Sequence, residues 1–218
     1  MRNKFAVIGL GGFGSTVATE LQRLGNEVLG LDRDEARVNA IAERISHAVI
    51  ADARDERVLE EFGLAGYDAV VVAIGEDLES NILCTLALKH MGTRQVWVKA
   101  VTPSHHRILA RLGADRIINP EQEIGIHVAQ TLARPNVLDY ISLGDGYFVV
   151  ELDLPAKLDG QRLAELALAE RYGIHYVGLK RGRRPQFDPP EQVVLRQGDH
   201  LLLVGQLQQL QRFGRNVL

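Results

Sequence analysis

The strongest constraint on this chain is a glycine-rich turn set between a short apolar run and an amphipathic stretch. Residues 5–14 read Phe-Ala-Val-Ile-Gly-Leu-Gly-Gly-Phe-Gly, and Val17, Leu21 and Leu24 follow at helical spacing. Each glycine of Gly9-x-Gly11-x-x-Gly14 has its own task. Gly9 permits a tight turn, Gly11 lets phosphate oxygens approach the backbone, and Gly14 lets helix and strand pack closely. The free N–H groups and positive dipole end of the following helix then face an anion. The spacing alone is weak. The strand before it, the helix after it, and Asp32 at the end of the next apolar run make it a nucleotide-binding fingerprint.

The same alternation continues along the chain. Apolar runs at Phe5–Ile8, Val28–Leu31, Ala48–Ile50, Ala69–Ala73, Val96–Val98 and Arg116–Ile118 alternate with helical segments such as Val38, Ile41, Ile45. This predicts an α/β Rossmann domain, a doubly wound parallel sheet with helices on both faces. The strands read as continuous apolar runs because both of their faces are buried. The pattern changes after Arg134. Pro135 ends a helix that starts near Glu121, since proline disfavours helix in the residue before it. There follow a polar turn Gly144-Asp145-Gly146, a strand Phe148–Leu154, a helix Gln161–Arg171 and a strand Ile174–Lys180. Arg181-Gly182 turns the chain back through Gln186-Phe187. After Asp188-Pro189-Pro190, Gly198-Asp199 turns into a strand His200–Val204 and a short closing helix. The expectation is a Rossmann domain at 1–134 and a small α+β domain at 135–218.

Ligands of open parallel sheets bind beyond the carboxyl ends of the strands. The expected nucleotide site therefore takes Gly9, Gly11, Gly12, Phe13, Gly14 and Ser15 from the first turn, and Asp32 and Arg33 from the second strand. Asp52 and Ala53, then Ala73, Ile74 and Gly75, follow the third and fourth strands, and Lys99 ends the fifth. Asp32 can accept both hydroxyls of an adenosine ribose and would repel a 2′-phosphate, which favours NAD or an adenine nucleotide over NADP. Its competing role is the cap of a helix over Arg33–Arg44.

Composition removes several classes. A net charge of −3 and a pI of 6.2 lack the basic face of a nucleic-acid binder. No apolar run approaches the ~20 residues of a membrane helix, and the N-terminus does not read as a signal peptide. A cytoplasmic protein is expected, with any membrane role exerted through a partner. The single cysteine, Cys84, reads as a small buried hydrophobe. His105 and His106 read as surface residues at a helix start, and His200 as solvated or core. Lys180, Arg181, Arg183 and Arg184 read as a solvated hairpin. No nucleophile elbow, zinc spacing or paired carboxylates appear, so no enzymatic activity is expected. An NAD-dependent oxidoreductase would need a substrate domain and an acid–base group. A redox-sensing transcription regulator would need a helix-turn-helix.

The chain resembles the regulator of potassium conductance (RCK, or KTN) family of the Trk/Ktr uptake type over essentially its whole length. In the first domain the likeness rests on residues 5–14, Ala51-Asp-Ala-Arg-Asp55, Val71-Val-Ala-Ile-Gly75, Val96-Trp-Val-Lys-Ala100 and Gly113-Ala-Asp-Arg-Ile-Ile-Asn-Pro-Glu121. In the second it rests on Leu158-Asp-Gly, Tyr172-Gly-Ile, Gly178-Leu-Lys-Arg181 and Gly198-Asp-His-Leu-Leu-Leu-Val-Gly205. The resemblance implies a homodimer that assembles into an octameric ring under a membrane potassium-transporting subunit of the TrkH/KtrB type, at the inner face of the plasma membrane. It implies that ATP, ADP or NAD(H) in the cleft changes the ring's shape. It also implies that Glu121 helps hold Mg2+ or Ca2+ near a neighbouring subunit's nucleotide phosphates. Some members bind cyclic di-AMP in the second domain, where Arg171, His175 and Pro189 fall. Two positions depart from the family. Gly12 stands where Ktr-type members often carry a phosphate-reaching arginine. Ala169 stands where cyclic-di-AMP-binding members tend to carry an arginine, which argues against that ligand.

Overall fold

All six apolar runs of the first domain form strands in the computed structural model, which describes residues 2–132 and 137–217. In chain order the elements are β1 (Lys4–Ile8), α1 (Gly12–Arg23), β2 (Glu27–Asp32), α2 (Glu35–Ile41), β3 (His47–Ile50), α3 (Glu56–Glu61) and β4 (Ala69–Val72). Next come α4 (Leu78–His90), β5 (Val96–Lys99), α5 (Pro103–Arg111), β6 (Arg116–Ile118) and α6 (Pro120–Leu132). The strands are parallel in the order β3-β2-β1-β4-β5-β6. The connections change direction between β1 and β4, which opens a crevice at the carboxyl end of β1.

Strand alternation divides the core between the two faces of the sheet. Ala6 and Ile8 of β1 join Leu29, Leu31, Val70, Val72, Val96 and Val98, and pack against Leu59, Cys84, Leu88 and Leu109. Val7 points the other way, to Val28, Val71, Ala18, Val38 and Ile41. Each buried Val, Leu or Ile contributes about 1.5–3 kcal/mol, so the double-sided sheet is what stabilises the strand order. Cys84 is buried, and burial pushes its thiol up to about 12. His105 departs from its surface reading. It is 2% exposed, and its Nδ1 accepts the Val101 N–H at 3.4 Å. Burial lowers its pKa, which favours the neutral ring.

By its contacts the chain divides into units Met1–Gln122 and Glu123–Leu218. The boundary expected at residues 134–135, Pro135 included, lies outside the described residues. The second unit holds β7 (Val137–Gly144), β8 (Tyr147–Asp153), β9 (His175–Arg181), β10 (Arg184–Gln186), β11 (Asp199–Gln206) and α7 (Leu207–Val217). Its antiparallel sheet runs β10-β9-β11-β8-β7. The β7–β8 hairpin turns on Gly144, Asp145 and Gly146, all at positive φ. Strand β7 was not expected from the sequence.

The helix expected over Gln161–Arg171 is two short pieces, a 3-10 turn at Leu163–Leu166 and a π turn at Leu168–Tyr172. Ala167 sits between them at φ 46°, ψ 51°, a left-handed conformation that interrupts the helical ladder. The apolar spacing is still used: Leu163, Leu166, Leu168 and Tyr172 all enter the core. The basic hairpin is also not simply solvated. Arg181 makes a bidentate pair with the buried carboxylate of Asp199, at 2.8 and 2.7 Å. Lys180 binds Glu151 at 2.9 Å, and the same Glu151 oxygen meets His200 Nδ1 at 2.6 Å.

Candidate nucleotide site

A cleft of about 420 Å3 opens at the carboxyl ends of the parallel strands. Its floor is the first turn. Gly9 has φ +93°, which favours glycine, and a Cβ there would lie 3.0 Å from the Ile74 amide nitrogen. At Gly14 a Cβ would lie 1.8 Å from the Gly9 carbonyl oxygen, so only glycine lets α1 sit this close to β1. Gly11 is different. Space is open around it, with Arg37 Nη1 3.9 Å from an added Cβ, and Gly12 has nothing within 4 Å. Those two glycines keep the approach to the backbone clear.

The start of α1 is built differently from the helices that follow. Side chains of Asp34, Asp55, Asp77 and Thr102 cap α2, α3, α4 and α5. In α1 the cap position is Gly11, with no side-chain cap bond and no acidic residue in the first turn. The N–H groups of the first turn therefore keep their hydrogen-bonding capacity, and the positive dipole end is uncompensated. This is the chemistry of an anion cradle.

Asp32 lines the same cleft, beside the turn that leads into this helix. It is 7% exposed, and its Oδ2 accepts the Leu10 N–H at 2.6 Å while Oδ1 accepts the Asp34 N–H at 2.9 Å. It does not cap α2; Asp34 does, through the Ala36 and Arg37 N–H groups. An ionised carboxylate has about four acceptor positions, so two remain for ribose hydroxyls.

The structure gathers Gly9, Gly11, Gly12, Phe13 and Ser15 with Asp32 and Arg33 on the cleft wall. Asp52, Ala53, Ala73, Ile74, Gly75 and Lys99 line it as well. Gly14 lies behind the turn as a packing residue. Asp52 is held by the Arg54 guanidinium at 3.0 Å, which, with the Arg54 N–H, keeps its carboxyl below the usual range against the opposing effect of burial. Arg33 reaches Asp77 at 3.5 Å. Lys99 lies 5.9 Å from the Phe13 ring centroid and is ion-paired with Glu121. That pairing, with some opposition from burial, keeps the Glu121 carboxyl below its ordinary range. Among the described residues no group of three or more His, Cys, Asp or Glu is placed to hold a metal ion.

Sequence reasoning missed Arg37, Arg54, Glu76, Asp77 and Ser80, which also line the cleft. Arg37 lies 3.8 Å from Asp32, 3.7 Å from Asp34 and 3.6 Å from Glu76. Its place five residues past Asp32, in the first turn of α2, was the available signal. In the second unit Arg171, His175 and Pro189 are each exposed, from three separate segments.

The TrkA-N domain model matches residues 5–120, and the TrkA-C domain model matches residues 147–218. The chain is 40% identical to Ktr system potassium uptake protein C of Bacillus subtilis over 218 residues, covering all of this chain and 99% of that one. It is 41% identical to Ktr system potassium uptake protein A of the same organism, covering 98% of this chain and 96% of the other. Among solved structures, the GsuK channel matches all of this chain with a TM-score of 0.71 at 17% identity, over 40% of the channel chain. The GsuK channel bound to NAD matches 96% of this chain with a TM-score of 0.64 at 16% identity, over 38% of that chain. No helix among the described residues is long and apolar enough to cross a membrane.

Proposed function

The chain belongs to the Ktr-type family of regulatory proteins built from a TrkA-N and a TrkA-C domain, and on that premise we propose that it is the nucleotide-sensing subunit that gates a membrane potassium transporter. It is a potassium-uptake regulator and not an enzyme. One observation carries the sensing role: an uncapped, glycine-cleared helix start and a buried carboxylate line one cleft. The first feature suits phosphates and the second a ribose. ATP, ADP and NAD(H) share both groups, and the solved channel that shares this fold is bound to NAD.

In this reading residues 1–134 bind the nucleotide and 135–218 form the regulatory domain. The subunit sits at the cytoplasmic face of the membrane through a KtrB-type partner. Homodimers assemble into an octameric ring, which supplies a cover for Ile124, Val128 and Leu132 of α6, all well exposed in the single chain. A nucleotide shifts such a ring between shapes only by as much as it prefers one of them. The Mg2+ or Ca2+ role of Glu121 would require its release from Lys99 and further oxygen ligands from phosphate or a second subunit.

The test is titration calorimetry of ADP, ATP and NADH with the wild type and Asp32→Ala. The variant should weaken ADP and NADH by about 1.5–3 kcal/mol, the range for hydrogen bonds to a charged group. Unchanged affinities in a folded variant remove Asp32 from the site.

A further inference from the structure

Lys99 is the cation at the phosphate end of the cleft. Its ammonium packs 3.2 Å from where a Cβ on Gly75 would be, and 5.9 Å from the ring of Phe13, a residue of the first turn of α1. The other cleft cations come from the opposite side and are engaged there. Arg33 pairs with Asp77, Arg37 with Asp32 and Asp34, and Arg54 with Asp52. Gly12 offers no charge.

The root of Lys99 is fixed while its tip is exchangeable. Asn81, fully buried on α4, donates from Nδ2 to the Lys99 carbonyl at 3.1 Å and to the Ile74 carbonyl at 2.7 Å. This ties the ends of β5 and β4 together. The Lys99 side chain is only 13% exposed, whereas its partner Glu121 is 67% exposed. Glu121 sits in the first turn of α6, beside Pro120, and Asn119 Oδ1 accepts the Gln122 N–H at 3.2 Å there. A solvated carboxylate of this kind is held weakly and can return to water at little cost. A phosphate seated on the α1 N–H groups brings more negative charge to the same ammonium, with hydrogen bonds of its own.

We propose that Lys99 reads the phosphate chain of the bound nucleotide and that Glu121 is its displaceable counter-ion. A phosphorylated ligand takes Lys99 and frees Glu121 on α6, while an unphosphorylated nucleoside leaves the pair closed. The pair therefore sets the preference for phosphate-bearing ligands and reports their arrival to the helix that leaves the nucleotide unit. This rests on the nucleotide reading of the cleft.

The experiment is calorimetric titration of the full chain with adenosine, ADP and ATP in chelator, so that no divalent ion competes for Glu121. Wild type, Glu121→Gln, Lys99→Met and the double variant are compared, each with its melting temperature. Glu121→Gln should bind ADP and ATP roughly 2- to 5-fold more tightly, the scale of a lost exposed ion pair. Lys99→Met should lose at least roughly tenfold more affinity for ADP and ATP than for adenosine. In the Lys99→Met background, Glu121→Gln should have no further effect. Unchanged or weaker ADP and ATP binding by Glu121→Gln overturns the exchange, and the same tightening in the Lys99→Met background overturns it too, because it would show Glu121 acting only by repelling the phosphates. Equal losses for all three ligands in Lys99→Met reduce Lys99 to a structural residue. Failure of every ligand to bind the wild type overturns the nucleotide reading together with the exchange; binding by the wild type with unmoved variants overturns the exchange alone.

Discussion

Gly11 and Gly14, three residues apart in the first turn, should fail in opposite ways when each is changed to alanine. At Gly14 the added Cβ would lie 1.8 Å from the Gly9 carbonyl oxygen, 3.0 Å from its carbon and 3.1 Å from the Ala73 Cβ. Two of these neighbours are backbone atoms of the turn, so α1 must move away from β1. Overpacking usually costs about 1–3 kcal/mol, and a backbone clash this close belongs at the upper end. A loss of about 3 kcal/mol corresponds to roughly 10 °C in melting temperature for a unit of this size. At Gly11 the backbone is at φ −64°, which any residue adopts, and the nearest atom to an added Cβ is 3.9 Å away. Alanine is a poorer helix cap than glycine, but it also restricts the unfolded chain, so the net stability change should stay within about 1 kcal/mol. The methyl group would instead stand where phosphate must approach. Gly11→Ala should therefore keep its melting temperature and lose roughly tenfold or more in ADP affinity, the effect of about 1.4 kcal/mol or more. Thermal unfolding and calorimetry on the same preparations decide the matter. Nucleotide affinity that survives in Gly11→Ala, or a Gly14→Ala variant as stable as the wild type, would refute the division of labour between the two glycines.

The second unit should depend on the Arg181–Asp199 pair: with Asp199 1% exposed, Arg181→Met should cost about 3 kcal/mol by stranding a buried carboxylate, and a melting temperature of that unit within about 4 °C of wild type, read by the roughly 4–8 °C-per-kcal/mol scale of a unit this small, would contradict it. Burial opposes the ionised form of Asp199, but the Arg181 guanidinium and the Arg196 N–H outweigh it and hold its carboxyl below the ordinary value. Because the folded pKa is the lower one, this stabilisation is complete above the unfolded value of about 3.9 and is lost as pH falls through the folded value. Acid titration of wild type and Arg181→Met should therefore converge at low pH, and parallel curves would show that the pair has no such linkage. Cyclic di-AMP should bind weakly or not at all, since Ala169 brings no guanidinium to its phosphates; submicromolar binding in calorimetry would mean that Arg171 or a protonated His175 takes that place.

The parallel sheet was legible because strands buried on both faces are spelled as unbroken apolar runs, and all six appear within a residue or so of their expected limits. Asp32 was legible for a similar reason, since a strand end and a glycine turn fix where it must stand. Its partners were not. That Asp34 and not Asp32 caps α2 is a choice between two nearby carboxylates, settled by the Leu10 N–H 22 residues away. Arg37 lies in the first turn after that cap, where it reaches Asp32, Asp34 and Glu76. The Arg181–Asp199 pair joins residues 18 apart, which only the pairing of β9 with β11 brings together. Strand β7 hid because its exposed apolar residues Leu138, Ile141 and Leu143 do not keep a period of two, and its register with β8 shifts at Val137/Asp139 and Ser142/Gly144. The segment 161–171 kept a helical apolar period while Ala167 broke its backbone, a local conformation that no side-chain pattern announces.

Native mass spectrometry of the purified chain with ADP, ATP and NADH tests the central claim most directly, because it reads subunit number and bound nucleotide in one spectrum. The account predicts even-numbered assemblies up to eight chains, each chain carrying one adenine nucleotide, and loss of those adducts in Asp32→Ala. A monomer that takes up none of the three nucleotides at any concentration would contradict it.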